Sequence, residues 1–183
     1  MNDNLFKIVS IDPGNNIGIA IYTIDSNTYK VYSVQTHTVV LDLHVEKSSN
    51  QLTSRVYYLN KYFSELLEYH RPLAVVEEAA FLNNRFPKAV MQLSQYIAAI
   101  DIAIYSYSSN TKVFRYPPKY IKRFIGAGGN ADKNDMLKAA KKIPEINDNI
   151  KLDMVTEHEV DALSIGYVFI QELRQHPELL IKI

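Results

Sequence analysis

Leu5-Phe6-Lys7-Ile8-Val9-Ser10-Ile11 runs into Asp12-Pro13-Gly14-Asn15-Asn16 and resumes as Ile17-Gly18-Ile19-Ala20-Ile21-Tyr22-Thr23-Ile24. Two apolar runs of strand length flank a Pro-Gly-Asn break, so the segment reads as a strand, a reversal and a returning strand. A third run, Tyr29 to Leu41, alternates Val31, Ser33 and Gln35 against Tyr32, Val34 and Thr36. That period of two is a strand signature. Three consecutive strands joined by short polar turns predict an antiparallel meander.

Beyond the meander the period changes. Leu52, Val56, Leu59, Phe63, Leu66 and Leu67 recur at helical spacing until Arg71-Pro72. Leu73-Ala74-Val75-Val76 predicts a short buried strand with Glu77 and Glu78 at its end. Pro87 suits the first turn of a helix carrying Val90, Leu93, Ile97, Ile100 and Ile104, a seam able to face the sheet or a partner helix. A fifth strand spans Thr111 to Tyr116, and Pro117-Pro118 opens a short helix. After Gly126-Ala127-Gly128-Gly129-Asn130 come helices over Asp132 to Lys142 and Thr156 to Gln175. Thr156 and Glu159 fit the S/T-x-x-E capping box. The pattern predicts one α/β domain over residues 1–183, a mixed sheet covered by helices.

The chain has 183 residues, 47% hydrophobic and 22% charged, ordinary for a globular domain and sufficient for a core without metal or disulfide. It contains no cysteine, which excludes disulfides, thiolate zinc sites, iron–sulfur clusters and cysteine nucleophiles. No secretory signal or membrane-length apolar stretch is visible, so a cytoplasmic location without membrane association is expected.

Asp12 and Glu77 each end a buried strand. His158 and Asp161 share one helical face, and Ala162, Ile165 and Phe169 carry that face into the core. A polar pair there is costly unless something satisfies it. Carboxylates supply the hard oxygens Mg²⁺ prefers, and two ions ~3.5–4 Å apart suit in-line attack on a phosphodiester. Each residue alone has a blander reading: a turn aspartate, a solvated glutamate, a capping pair.

Four ordered blocks sharpen the picture. Ile8-Val9-Ser10-Ile11-Asp12-Pro13-Gly14 with Gly18 resembles the opening of the RuvC-type Holliday junction resolvases. Val75-Val76-Glu77-Glu78 with Phe81 resembles their second acidic motif. Lys122, Gly126, Gly128 and Ala131-Asp132-Lys133 resemble the lysine–glycine segment, and His158-Glu159-Val160-Asp161-Ala162-Leu163-Ser164-Ile165 resembles the final H/D-x-x-D-A-x-x-I motif. The resemblance implies an RNase H-like fold: a five-stranded mixed sheet, its first three strands antiparallel, flanked by helices. It implies a homodimer that resolves four-way DNA junctions in recombination and repair by paired symmetric nicks, using two Mg²⁺ per site, with Mn²⁺ able to substitute.

By position, the implied catalytic and metal-binding set is Asp12, Glu77, His158 and Asp161. Asp12 would bridge the two ions, Glu77 and Asp161 would each help hold one, and His158 would complete the site or orient the attacking water. An apparent two-residue addition before Leu93 leaves Glu78 as an alternative ligand; Glu77 is preferred because it directly follows the apolar run. Histidine at 158, where many members have aspartate, points towards Mn²⁺. Lys122 and Lys133 would lie nearest the scissile phosphate, and Phe81 would stack on a base, with core packing the alternative reading of that residue.

Charge location agrees with a DNA ligand. From Lys112 to Lys142, nine basic residues, Lys119 and Arg123 among them, oppose Asp132 and Asp135, a local +7 within a neutral chain. Lys119, Lys122, Arg123, Lys133 and Phe81 are the expected DNA contacts. The glycine run follows a helix and lacks G-K-[ST], which excludes a P-loop. Rival readings are a broader fork, flap and three-way-junction nuclease of the same fold, and a non-catalytic junction-binding module. A sugar-kinase or actin-like ATPase would need a longer chain.

Overall fold

The β-branched run before Asp12 and the one after Gly14 pair as predicted. In the computed structural model, which describes residues 4–45, 50–80 and 87–180, β1 (Leu5–Asp12) and β2 (Asn16–Asp25) form an antiparallel hairpin. Asp12 faces Gly18 across it, and Ile8 faces Tyr22. β3 (Val31–Val40) extends the meander on the far side of β2. It starts two residues later than expected because Tyr29 takes a left-handed φ of 52°, stabilised by a turn in which Asp25 Oδ1 accepts from the backbone N–H groups of Asn27 and Thr28.

Helix α1 (Gln51–His70) crosses to β4 (Ala74–Glu78), which lies parallel to β1; α2 (Pro87–Tyr107) crosses to β5 (Lys112–Tyr116), parallel to β4. The sheet order is β3-β2-β1-β4-β5, a five-stranded mixed sheet with the antiparallel meander at one side. The α-helices α3 (Pro118–Phe124), α4 (Lys133–Ala140), the single-turn α5 (Pro144–Asn147) and α6 (Glu157–Gln175) follow. The sequence reading ran α4 on to Lys142 and did not separate α5, whose Pro144 begins a new turn.

Two cores result. Val9, Ile11, Ile19 and Val75 pack under α1 and α2 with Phe63 and Ile100; Ile8, Tyr22 and Val76 pack under α6 with Ile165 and Phe169. The α2 seam is accordingly an inner face: Ile97, Ile100 and Ile104 are buried, while Met91, Ile102 and Tyr105 are 65%, 59% and 74% exposed on the outer side.

Helix α6 lies unusually close to the sheet because two positions lack a side chain. A Cβ on Gly166 would stand 2.3 Å from Tyr22 Cε2, and one on Gly18 would stand 1.8 Å from the His158 carbonyl oxygen. The close approach is fixed by buried hydrogen bonds, Ser10 Oγ donating to Ala162 O at 2.8 Å and Tyr22 OH to Leu163 O at 2.6 Å. Only half of the expected capping box forms at the start of α6. Thr156 Oγ1 accepts from Glu159 N, but the Glu159 carboxylate turns to the β3 threonines, accepting from Thr36 Oγ1 at 2.8 Å and Thr38 Oγ1 at 3.0 Å. Among the described residues no helix is long and apolar enough to cross a membrane.

Candidate active site

Strand parity decides which carboxylates meet. In β1, Ile8 and Ser10 point towards α6, so Asp12, two residues on, ends the strand on that face. In β4, Ala74 and Val76 share this face, and Val75 belongs to the other core. The parallel register pairs Ile11 with Glu77. Glu77 therefore points beneath α2, and Glu78 points towards Asp12. The structure thus brings Glu78, the alternative ligand of the sequence reading, and not Glu77, to Asp12 and Asp161. Ranking the two glutamates by adjacency to the apolar run fails because β4 is apolar on both faces, so only register separates them.

Glu77 is fully buried behind the site. Its Oε2 accepts from Arg115 Nε at 3.0 Å, and Arg115 also pairs with Asp101 of α2. Burial raises the Glu77 pKa to about 7, against the opposing pull of Arg115, and among the described residues its Oε1 has no hydrogen-bond partner.

On the α6 face, Asp12, Glu78 and Asp161 line one cleft of about 170 Å³ with Lys122, its apolar walls supplied by Ile121 and Ile165. Burial, then the negative charges of Asp12 and Asp161, push Glu78 up to about 8 despite Lys122. Burial and Asp12 push Asp161 up to about 7, with Lys122 and His158 acting oppositely. Asp12 is raised by burial, while its hydrogen bond with His158 works the other way. His158 Nδ1 stands 3.3 Å from Asp12 Oδ2, and this contact raises the imidazole pKa against the effect of burial. Asn16 Nδ2, which the sequence reading did not single out, lies 3.3 Å from His158 Nε2.

The donor set fits divalent cations. Three carboxyls, contributed by two strand ends and a helix, are desolvated together; Asp12 raises Asp161 and Glu78, and Asp161 raises Glu78 further, as in an acidic cluster short of positive charge. Their oxygens are the hard ligands Mg²⁺ and Mn²⁺ take. Among the described residues, no three His, Asp or Glu side chains are already drawn around a single point as an ion-holding group.

The basic segment divides. Lys122 reaches the cleft, its Nζ also donating to Ala131 O at 2.8 Å. Lys133 pairs with Glu157, the neighbour of His158, which places it at the rim. Lys119 lines an adjoining cavity of about 400 Å³ with Lys122, Gly129 and Asn130, and the Arg123 side chain lies against Gly129. Arg115 and Lys141 are engaged by acidic partners, so the local positive surplus is smaller than the sequence count suggests. Phe81 lies outside the described residues.

Comparison with known proteins points one way. The profile of the family described as Crossover junction endodeoxyribonuclease RuvC matches residues 8–169. A protein of that description from Campylobacter hominis is 27% identical over 169 residues, covering 92% of this chain and 98% of its own length. One from Helicobacter pylori is 25% identical over 172 residues, covering 93% and 99%. Among solved structures, T. thermophilus RuvC in complex with Holliday junction substrate superposes with a TM-score of 0.69 at 18% identity, covering 93% of this chain and 96% of that one. The yeast mitochondrial Holliday junction resolvase Ydc2 gives 0.65 at 13% identity, with 96% and 83% covered. These two likenesses bear on the fold. With a family profile spanning the meander, β4, β5 and most of α6, this chain belongs to the RuvC family of crossover junction endodeoxyribonucleases.

Proposed function

We propose that this chain is one metal-dependent endonuclease domain that cuts four-way DNA junctions by paired symmetric nicks, working as a homodimer. The observation that carries the reading is the shared cleft of Asp12, Glu78 and Asp161, three desolvated carboxyls of raised pKa beside Lys122. Asp12, Glu78 and Asp161 would hold two Mg²⁺, with Mn²⁺ as a substitute. Such ions, when bound, supply water activation and offset the charge of the attacked phosphate and its leaving oxygen.

The chain's own groups do the rest. Lys122 draws a phosphate oxygen to the cleft, Lys133 and Lys119 hold backbone phosphates at its margin, and the apolar walls from Ile121 and Ile165 limit water. His158 stands against Asp12. The relatives' printed names and the junction in the T. thermophilus complex support branched DNA as the substrate class. The outer face of α2, with Met91, Ile102 and Tyr105 exposed, is the surface on which a second copy would pack.

The test is Mg²⁺-dependent cleavage of a mobile four-way junction beside three-way and flap substrates, with both strands mapped. Symmetric nicks on the four-way junction alone are expected. Equal cutting of flaps favours the broader nuclease, and binding without nicking favours the non-catalytic module. Asp12→Asn should abolish cleavage and spare binding.

A further inference from the structure

Asp12 is the last residue of β1, and the sheet holds it from one side only: it pairs with Gly18 of β2, whereas the parallel ladder to β4 stops at Ile11. Among the described residues the turn that follows, Pro13-Gly14-Asn15, has no strand partner, and Pro13 lacks an N–H to offer one. Packing does not fix the turn either, because a cavity of about 230 Å³ lies between Pro13-Gly14 and the start of α2 at Ala89 and Leu93. What grips it is Asn15. The Asn15 backbone carbonyl accepts from Leu41 N at 3.1 Å. Its side-chain Oδ1 accepts from Gln92 Nε2 at 3.0 Å, Tyr96 OH at 3.2 Å and Arg55 Nη1 at 3.4 Å. Arg55 Nη1 also donates to Tyr96 OH at 3.1 Å, and Arg55 pairs with Asp42. Three donors around one acceptor give the amide a single orientation: turned over, its NH₂ would face the NH₂ of Gln92 and the guanidinium.

We infer that Asn15 is a positioning residue: its side-chain carbonyl, gripped by Gln92 and Tyr96 of α2 and Arg55 of α1, anchors the turn after Asp12 and so sets the angle at which the Asp12 carboxyl enters the cleft. The consequence for catalysis rests on the proposed active site; the anchor itself does not. The grip comes from the side of the sheet opposite to the cleft, since Tyr96 belongs to the core beneath α1 and α2. Asn15 is exposed, whereas Tyr96 is 1% exposed. The asparagine therefore adds little apolar burial, and its contribution lies in the acceptor it presents to buried donors. Loss of a group that orients a metal-holding carboxylate, or a shift of about 1 Å at a reacting centre, costs about 10–100-fold.

Asn15→Leu and Asn15→Asp separate the acceptor from the shape. Leucine is similar in size and accepts nothing; aspartate keeps an acceptor for the same three donors. In Mg²⁺-dependent junction cleavage, Asn15→Leu should lose about 10–100-fold in kcat, with KM, junction Kd and Tm close to wild type. Asn15→Asp should hold kcat within a few-fold of wild type. Tyr96→Phe, which deletes one donor, should also lower kcat, and the double variant Asn15→Leu/Tyr96→Phe should be no slower than Asn15→Leu alone, because both remove the same grip. Amide hydrogen exchange in the metal-free, DNA-free protein reads the anchor directly. The Leu41 N–H, bonded to the Asn15 carbonyl, should exchange about tenfold faster in Asn15→Leu and at the wild-type rate in Asn15→Asp. Wild-type kcat in Asn15→Leu, an Asn15→Asp as slow as Asn15→Leu, multiplying effects in the double variant, or an unchanged Leu41 exchange rate overturns the inference. A wild-type chain that cuts no junction refutes the proposed function instead, and the exchange rates then still uphold or refute the anchor.

Discussion

Replacing Gly18 by alanine tests whether the site depends on how closely α6 approaches the sheet. The new Cβ would stand 1.8 Å from the His158 carbonyl oxygen, 2.3 Å from its carbonyl carbon and 3.1 Å from Glu159 N, all backbone atoms. Ordinary contact begins near 3.4 Å, so the first turn of α6 must retreat by roughly 1.6 Å. It is not free to do so. Glu159 is tied to Thr36 and Thr38, and Ala162 O to Ser10, so retreat breaks buried hydrogen bonds or forces the hairpin to bend. Overpacking costs about 1–3 kcal/mol, and a clash between backbones belongs at the upper end. In a chain of this size about 3 kcal/mol lowers Tm by roughly 6–12 °C. The retreat carries His158 and Asp161 away from Asp12 and Glu78, and a displacement of about 1 Å at a reacting centre costs on the order of 100-fold in rate. Thermal unfolding and single-turnover cleavage on the same sample measure both effects, with junction Kd as the control. A Gly18→Ala protein that melts and cleaves like wild type would falsify the claim that this contact sets the site geometry.

Further outcomes follow from the same arrangement. Glu78→Gln should reduce cleavage by at least about 1,000-fold with junction binding retained, whereas Glu77→Gln, which keeps an acceptor for Arg115, should leave kcat within a few-fold; single-turnover rates would show the reverse pattern if Glu77 held the ions. Asp12, Glu78 and Asp161 all have raised folded-state pKa values, to about 8 for Glu78 and about 7 for Asp161, so folding takes up protons and the metal-free protein should lose stability as pH rises from about 5 through 8. Differential scanning fluorimetry checks this: Mg²⁺ should raise Tm more at pH 8.5 than at pH 5.5, and Asp161→Asn should flatten the pH slope. If the proposed second copy packs on the outer face of α2, Ile102→Asp should convert the dimer to a monomer by light scattering; an unchanged mass would place the interface elsewhere.

What the sequence reveals about this site depends on the range of the interaction that fixes each residue. Asp12 is legible because local chemistry places it: an apolar run stopped by Pro-Gly. His158 and Asp161 are legible because helical spacing alone puts them on one face, and the apolar continuation through Ile165 and Phe169 says which face. The choice between Glu77 and Glu78 is not local. Ala74, Val75 and Val76 are all fully buried, so β4 carries no alternation, and a one-residue ambiguity exchanges the two sides of the sheet. The pairing of Ile11 with Glu77 resolves it, across a crossover of more than sixty residues. Glu159 misled for the same reason. The capping box is a local rule, but the threonines that claim its carboxylate lie on β3, 123 and 121 residues away. Asn16 had no signal at all, since an exposed asparagine after Pro-Gly is what any turn would use. A change of parity in β4 exchanges a carboxyl paired with Arg115 for one that lines the acidic cleft, whereas the same uncertainty at a surface strand would change little. The residues hardest to read are therefore those where two faces of a doubly covered strand do different work, and a substitution pair such as Glu77→Gln and Glu78→Gln reads that face directly.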